Sequence, residues 1–230
     1  MSNHQKDNRI GRNRAALIGA AGGVLVLAGI LAGPSIDGPP ITDAQAAADV
    51  YVDDAGAVLT SAVVLLLGVV ALLWFAGVAH TWLGSRTDAE SPLPSIGFGG
   101  AIAGAVSLGI SGVIMASQAL RAQEADAVVD PDVLASLADL STHMFGLAAP
   151  LCFSALVGTV AIASLRRPTE LPRPFAMASV ALAVLMIVPP VAWIGMLLFL
   201  VWLLAVSSMV AFRTSETRSI DLERSDAVAV

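Results

Sequence analysis

The sequence predicts an all-α, polytopic transmembrane bundle. Three observations carry that expectation. Of 230 residues, 57% are hydrophobic and 13% charged, about half the charged share of a soluble domain. The apolar residues fall in uncharged blocks of 19 residues or more, long enough to cross a bilayer. The basic residues collect in alternate connections between those blocks, which sets an orientation.

The first block, Ala15 to Gly33, follows the basic, polar stretch MSNHQKDNRIGRNR. It is longer than the apolar region of a secretory signal, and the AQA at 44–46 lies too far downstream for a cleavage site. An uncleaved first span over about 15–33 is expected. Residues 1–14 are expected to be a flexible cytoplasmic tail.

Three further uncharged blocks, Ala55–Ala79, Ser95–Leu120 and Met144–Leu165, each fit one tilted crossing. They predict spans over about 57–79, 96–120 and 143–165. The last block, Phe175–Phe212, has 38 residues and as one helix would reach ~57 Å, nearly twice a hydrocarbon layer of ~30 Å. Arg166, Arg167 and Arg173 precede it, and Arg213, Arg218 and Arg224 follow it. Short basic flanks stay in the cytoplasm, so the chain must go out and come back. Pro189 and Pro190 mark the reversal, because neither donates a backbone hydrogen bond and Val188, ahead of a proline, is biased away from helix. The block then divides into spans over about 171–188 and 191–212. Residues 213–230 are expected to be a second flexible cytoplasmic tail.

Six spans with both termini inside place eleven of the twelve Lys and Arg in the cytoplasm, leaving only Arg121 outside. The extracytoplasmic connections then hold Asp37, Asp43, Asp49, Asp53, Asp54, Glu124, Asp126, Asp130, Asp132 and Asp139. Trp82 falls near the inner boundary, and Tyr51 and Trp193 near the outer one, depths that suit amphipathic rings. Short extracytoplasmic helices are expected in the two outer loops. Thr42 with Gln45 has capping-box spacing, and Asp130 followed by Pro131 is an N-cap with proline at the first helical position.

No Asp, Glu, Lys or Arg falls within any of these spans, whereas proton relays and ion-coupled pathways place such groups in the bundle interior. A facilitator for neutral or lipidic solutes would instead rely on hydroxyls such as Ser107, Ser111, Ser154 and Thr159. His80 and His143 lie at opposite ends of the membrane layer, which rules out their pairing on one haem within a chain. Asp139 and His143 are four apart on one helix face. With Asp49, Asp53 or Asp54 from the other outer loop they form the one candidate carboxylate–imidazole cluster, set against the plainer reading of a solvated acidic face. No catalytic, phosphate-binding or dinucleotide signature is present, and no metal or cofactor is expected. The lone Cys152, inside an apolar block, reads as a small packing residue. The net charge of −6 offers no basic surface for nucleic acid.

Small residues supply the remaining signal. Gly100 and Gly104 form GxxxG, continued by Ala101, Ala105 and Gly109, a pattern that lets helix backbones approach closely. The third span is therefore expected at the centre of the bundle. Gly19 with Gly23, and Gly29 with Gly33, suit the first span to packing against the third or against a second copy. Pro150, six residues into the fourth span, removes a helix hydrogen bond and predicts a bend.

The stretches DAQAAADVYVDDAGAVLTSA, DVLASLADLSTHMFGLAAPL and PPVAWIGMLLFLVWLLAVS together resemble uncharacterised six-span integral membrane proteins of actinobacteria, grouped as a domain of unknown function. The resemblance covers roughly residues 15–212 and implies the fold without an activity or functional residues. The expected function is accordingly a non-enzymatic accessory, scaffold or envelope-associated protein of the cytoplasmic membrane, with the lipid bilayer and a second copy or another membrane protein as partners. The competing class is a small permease or lipid-handling protein.

Overall fold

A computed structural model describes residues 3–33, 50–124, 130–166 and 171–209, with the backbone alone described over 3–17. Its regular elements are helical, and no strand occurs among the described residues. They are α1 (Asn3–Ala32), α2 (Ala55–Gly84), α3 (Leu93–Ala122), α4 (Pro131–His143), α5 (Ala149–Arg166), α6 (Arg173–Ile187) and α7 (192–209). Four stretches are long and apolar enough to cross a membrane: Ala55–Gly84, Leu93–Ala122, Pro131–Arg166 and Pro189–Met209. Ile18–Ala32 and Arg173–Ile187 are shorter apolar helices. α1 starts at Asn3, so the backbone of residues 3–14 is helical where a flexible tail was expected. The Thr42–Gln45 capping pair and the 213–230 tail lie outside the described residues.

The outward faces are apolar. On α2, Val63, Leu67, Val70 and Trp74 recur at intervals of four, three and four and are all exposed. Such a stripe would be an aggregation hazard in water and is stable against lipid.

Helix order follows close backbone contacts. α1 lies on α2, α2 on α3, α3 on α5 and α5 on α6. α7 returns beside α6 and touches α1 as well. A Cβ on Gly23 would meet the Leu203 side chain at 3.3 Å, and one on Gly19 would meet Ser207 Oγ at 2.7 Å. Phe199 of α7 stacks on Phe153 of α5, with ring centroids 4.4 Å apart, and on Trp202 at 5.9 Å. Met186, Met196, Leu200, Leu203, Leu108 and Leu156 are buried in the same apolar core.

This arrangement corrects two expectations. The first span packs on the second and the last, and not on the third. Nor is the third span the centre: 33% of the most apolar part of α3 is buried, against 50% for α7. Gly97, Gly100 and Gly104 of α3 face Thr159, Cys152 and Phe153 of α5, and Gly109 and Gly112 face Val69 and Leu66 of α2, while Ile96, Val106, Ile110 and Val113 are exposed.

Two devices interrupt the helices. Val188 is extended (φ −86°, ψ 107°) and Pro189–Val191 form a 3₁₀ turn between α6 and α7. Between α4 and α5 the helix widens over Met144–Ala148 into a π turn, in which the Ala149 N–H donates to Met144 O, five residues back. Pro150 follows directly. Having no N–H, it has nothing to offer the Gly146 carbonyl, and its ring crowds that residue; the wider turn relieves both problems. α4 itself starts where Asp130 Oδ1 accepts from the Asp132 N–H at 3.0 Å, with Pro131 in the first turn.

Candidate functional site

The outer polar cluster does not assemble around Asp139 and His143. His143 Nδ1 lies 2.7 Å from the backbone oxygen of Asp139, not from its carboxylate. Asp53, Asp54, Asp139 and His143 are all exposed, and Asp49 lies outside the described residues. Among the described residues no group of three or more His, Cys, Asp or Glu side chains is placed to hold a metal ion.

The polar groups that do meet lie nearby, between α3 and α4. Ser111 Oγ and Ser141 Oγ are 2.8 Å apart, and Ser141 Oγ also lies 3.2 Å from Ser111 O. Two turns further along, Gln118 Nε2 donates to Leu134 O at 3.4 Å, while Gln118 Oε1 is buried without a protein partner. Above them Tyr51, Val58, Ala119 and Leu134 form a second, smaller apolar core, with Leu59, Met115, Ala122 and Ala138 packed around it. Burial in that core raises the Tyr51 phenol above its usual pKa. The N-terminal ends of α2 and α4 and the C-terminal end of α3 are thus joined in a cap with its own interior. Gln118 and Ser141 escaped the sequence reading because a lone polar residue near a helix end carries no periodic signal. Only the buried neighbours reveal its role.

Four other hydroxyls of the bundle bond within their own helices, while Ser61 Oγ donates to Gly29 O of α1 and Ser207 Oγ is buried without a partner. Ser107 donates to Ala103 O at 3.0 Å, Ser154 to Leu151 O at 2.6 Å, Thr159 to Leu156 O at 2.9 Å and Ser164 to Val160 O at 2.8 Å. Their donor protons are committed to the backbone and do not point at a shared cavity. At the other end of the bundle, His80 Nδ1 lies 3.2 Å from Pro94 O with its ring beside Phe98, and the Arg86 guanidinium sits 5.1 Å from the Trp82 ring centre.

The glycines expected at helix contacts divide clearly. A Cβ at Gly29 would stand 3.0 Å from the Leu65 N, one at Gly100 2.6 Å from Cys152 O and one at Gly104 2.8 Å from the Phe153 ring. Gly33 faces Ser61 Oγ at 3.2 Å, and Ser61 Oγ donates to Gly29 O. Gly109 has ordinary space, 3.7 Å from Val69, whereas a Cβ at Gly112, one turn on, would press on the Leu66 side chain at 3.2 Å. Gly68, Gly97 and Gly195 are equally crowded, facing Val26, Thr159 and Met186. Of these, Gly68 and Gly195 have no small partner four residues away, so the GxxxG pattern passes over them.

Comparison with models of protein families, with curated proteins and with solved structures finds no match. The resemblance to actinobacterial six-span proteins therefore rests on the hydropathy pattern of the three stretches quoted for it.

Proposed function

We propose that the chain is a non-enzymatic, multi-pass protein of the cytoplasmic membrane that serves as an accessory or scaffold for another envelope component. In this reading it has six spans, of which α6 is the short member, and both termini face the cytoplasm. The observation that supports it most is the interior itself. The Phe153–Phe199–Trp202 stack and its aliphatic surround occupy the bundle interior, and Ser107, Ser154, Thr159 and Ser164 bond to the backbone of their own helices. A permease for neutral solutes needs a polar path, and the side chains that would line one are turned elsewhere. The distinctive chemistry is at the ends, in the acidic outer cap and the basic inner flanks.

Orientation is tested by single-cysteine labelling. In a Cys152→Ala background, Ser136→Cys should react with a membrane-impermeant maleimide added to intact cells, and Ser85→Cys and Ser215→Cys only after permeabilisation. Labelling of Ser215→Cys from outside would overturn the topology. The scaffold role is tested by extraction in mild detergent, which should yield a stoichiometric complex with another membrane protein or a homo-oligomer. A monodisperse monomer would count against it.

A further inference from the structure

α4 is held lightly along its length and interrupted at its base. Two of its 13 residues, Leu134 and Ser141, are buried, and beyond the π turn the helix it packs on is α3. The bonds between the two helices are graded. Near the π turn, Ser141 Oγ donates to Ser111 O at 3.2 Å and lies 2.8 Å from Ser111 Oγ, so Ser111 donates back and both protons are used. Toward the N-terminal end of α4 one long bond joins Gln118 Nε2 to Leu134 O at 3.4 Å. Gln118 is 4% exposed, and its Oε1 is enclosed without a donor. Exchanging the oxygen and nitrogen of the amide gives no relief, because two acceptors would then face each other at Leu134 O. An enclosed acceptor that forgoes its bond counts against the docked state.

We infer that α4 is a hinged flap, which swings as an intact helix about the Met144–Ala148 π turn, parts first between Gln118 and Leu134, and uncovers Gln118 beside the small core of Tyr51, Val58 and Ala119. The hinge has the parts a bend requires. The π turn holds Gly146, where a Cβ would lie an ordinary 3.8 Å from Trp193 Cβ, and Pro150 withholds the next backbone donor. A helix whose ladder is already interrupted bends there before it bends elsewhere. The far end opens into polar surroundings wherever the hydrocarbon boundary runs, because exposed Arg121, Glu124, Asp130 and Asp132 lie within two turns of Gln118 or Leu134. Water or a headgroup there supplies the donor that Oε1 lacks, a gain made in the open state alone. The sequence places five residues, 125–129, between Glu124 and Asp130; at ~3.4 Å per residue they limit the parting to ~20 Å. The inference needs neither the orientation of the chain nor a partner.

The test is the distance between spin labels on Ser136→Cys of α4 and Thr60→Cys of α2, both exposed positions, in the full chain with Cys152→Ala, held in phosphatidylcholine nanodiscs and measured by pulsed electron resonance. Two distances should appear, the longer from the open flap. Gln118→Met keeps the side chain's length and removes the orphaned acceptor, so it should lower the open fraction by roughly threefold or more. Ser141→Ala removes the bonds near the hinge and should raise that fraction by roughly fivefold, the effect of one hydrogen bond. A Gln118 that serves only to fasten α4 requires the opposite sign for Gln118→Met, since the bond to Leu134 O is lost and nothing is regained. Amide hydrogen exchange separates a swinging helix from an unravelling one: residues 135–142 should stay as protected in Ser141→Ala as in the parent. A single distance in both the parent and Ser141→Ala would overturn the proposal. So would a larger open fraction in Gln118→Met, or exchange across 135–142 that rises in step with the longer distance.

Discussion

The indole Nε1 of Trp202 donates to Ser179 Oγ at 2.8 Å, and the same hydroxyl donates to Phe175 O at 2.9 Å. Ser179 thus joins α6 to α7 with both roles of its oxygen in use. The pair is centred on the same point of the chain as Gly195 and Met186, where a Cβ on the glycine would meet the Met186 Cα at 3.1 Å. Both contacts belong to one antiparallel hairpin about the twin prolines. Ser179→Ala leaves the buried indole N–H without an acceptor, at a cost of about 1–2 kcal/mol in a membrane helix pair. Trp202→Phe also breaks the bond, and the double variant should cost less than the sum of the two. Unfolding in mixed micelles with rising dodecyl sulfate measures all three. Strict additivity would show that the bond contributes nothing.

Neighbouring glycines of α3 should respond oppositely to the same substitution. A Cβ at Gly99 meets nothing within 4 Å, whereas one at Gly100 would press on Cys152 O at 2.6 Å and Ala155 Cβ at 2.7 Å. Gly99→Ala should leave stability unchanged or raise it by up to ~1 kcal/mol through helix propensity. Gly100→Ala should lower it by about 1–3 kcal/mol, because α3 and α5 must part. The same micelle titration ranks them, and equal responses would remove close backbone approach as the reason for Gly100.

Pro150 sets the rotation of α4 on α5. With alanine there, the Gly146 carbonyl regains a donor and the π turn can close to regular helix. Removing one residue's worth of turn swings α4 by about 100°, taking Ser141 away from Ser111. A Ser111→Cys, Ser141→Cys pair in the Cys152→Ala background should cross-link readily with Pro150 present and poorly with Pro150→Ala. An unchanged yield would mean that packing against α3, and not the proline, holds the turn.

Tyr51 is the single tyrosine of the chain, so tyrosinate absorbance reports it alone. Burial disfavours the charged phenolate and raises its pKa. The midpoint in the folded protein should exceed the free phenol value of about 10. In the unfolded chain the phenol loses its proton first, so the contribution to stability is intact below pH ~10 and declines as pH rises from there through the folded pKa. A midpoint at or below the free value would show that the outer cap is open to water.

Much of this architecture was legible because lipid imposes simple demands. Length, lack of charge and paired prolines marked the helices and the reversal at Pro189–Pro190, and Asp130 with Pro131 marked the start of α4. Neighbour choice was not legible. Gly19, Gly23 and Gly29 announce close packing, but a glycine does not encode whether Phe75, Leu203 or Leu65 will lie against it. The acidic cluster was legible in its residue types, and which polar groups turn inward was not. Asp139 and His143 share a face that points outward, while Ser111, Ser141 and Gln118, of weaker chemical character, are the groups turned inward.

The brevity of α6 has a consequence for the surrounding lipids. Its 15 residues reach only ~22 Å, well short of an ordinary hydrocarbon layer of ~30 Å. In the six-span reading proposed above, acyl chains beside the α6–α7 hairpin shorten or tilt to meet it, at a fraction of a kcal/mol per ångström of mismatch. That deformation extends past the protein's own edge, so two molecules that share a dimple strain fewer lipids than two apart. Copies should drift together in thick bilayers and disperse in thin ones, an attraction transmitted by the solvent and requiring no complementary surface.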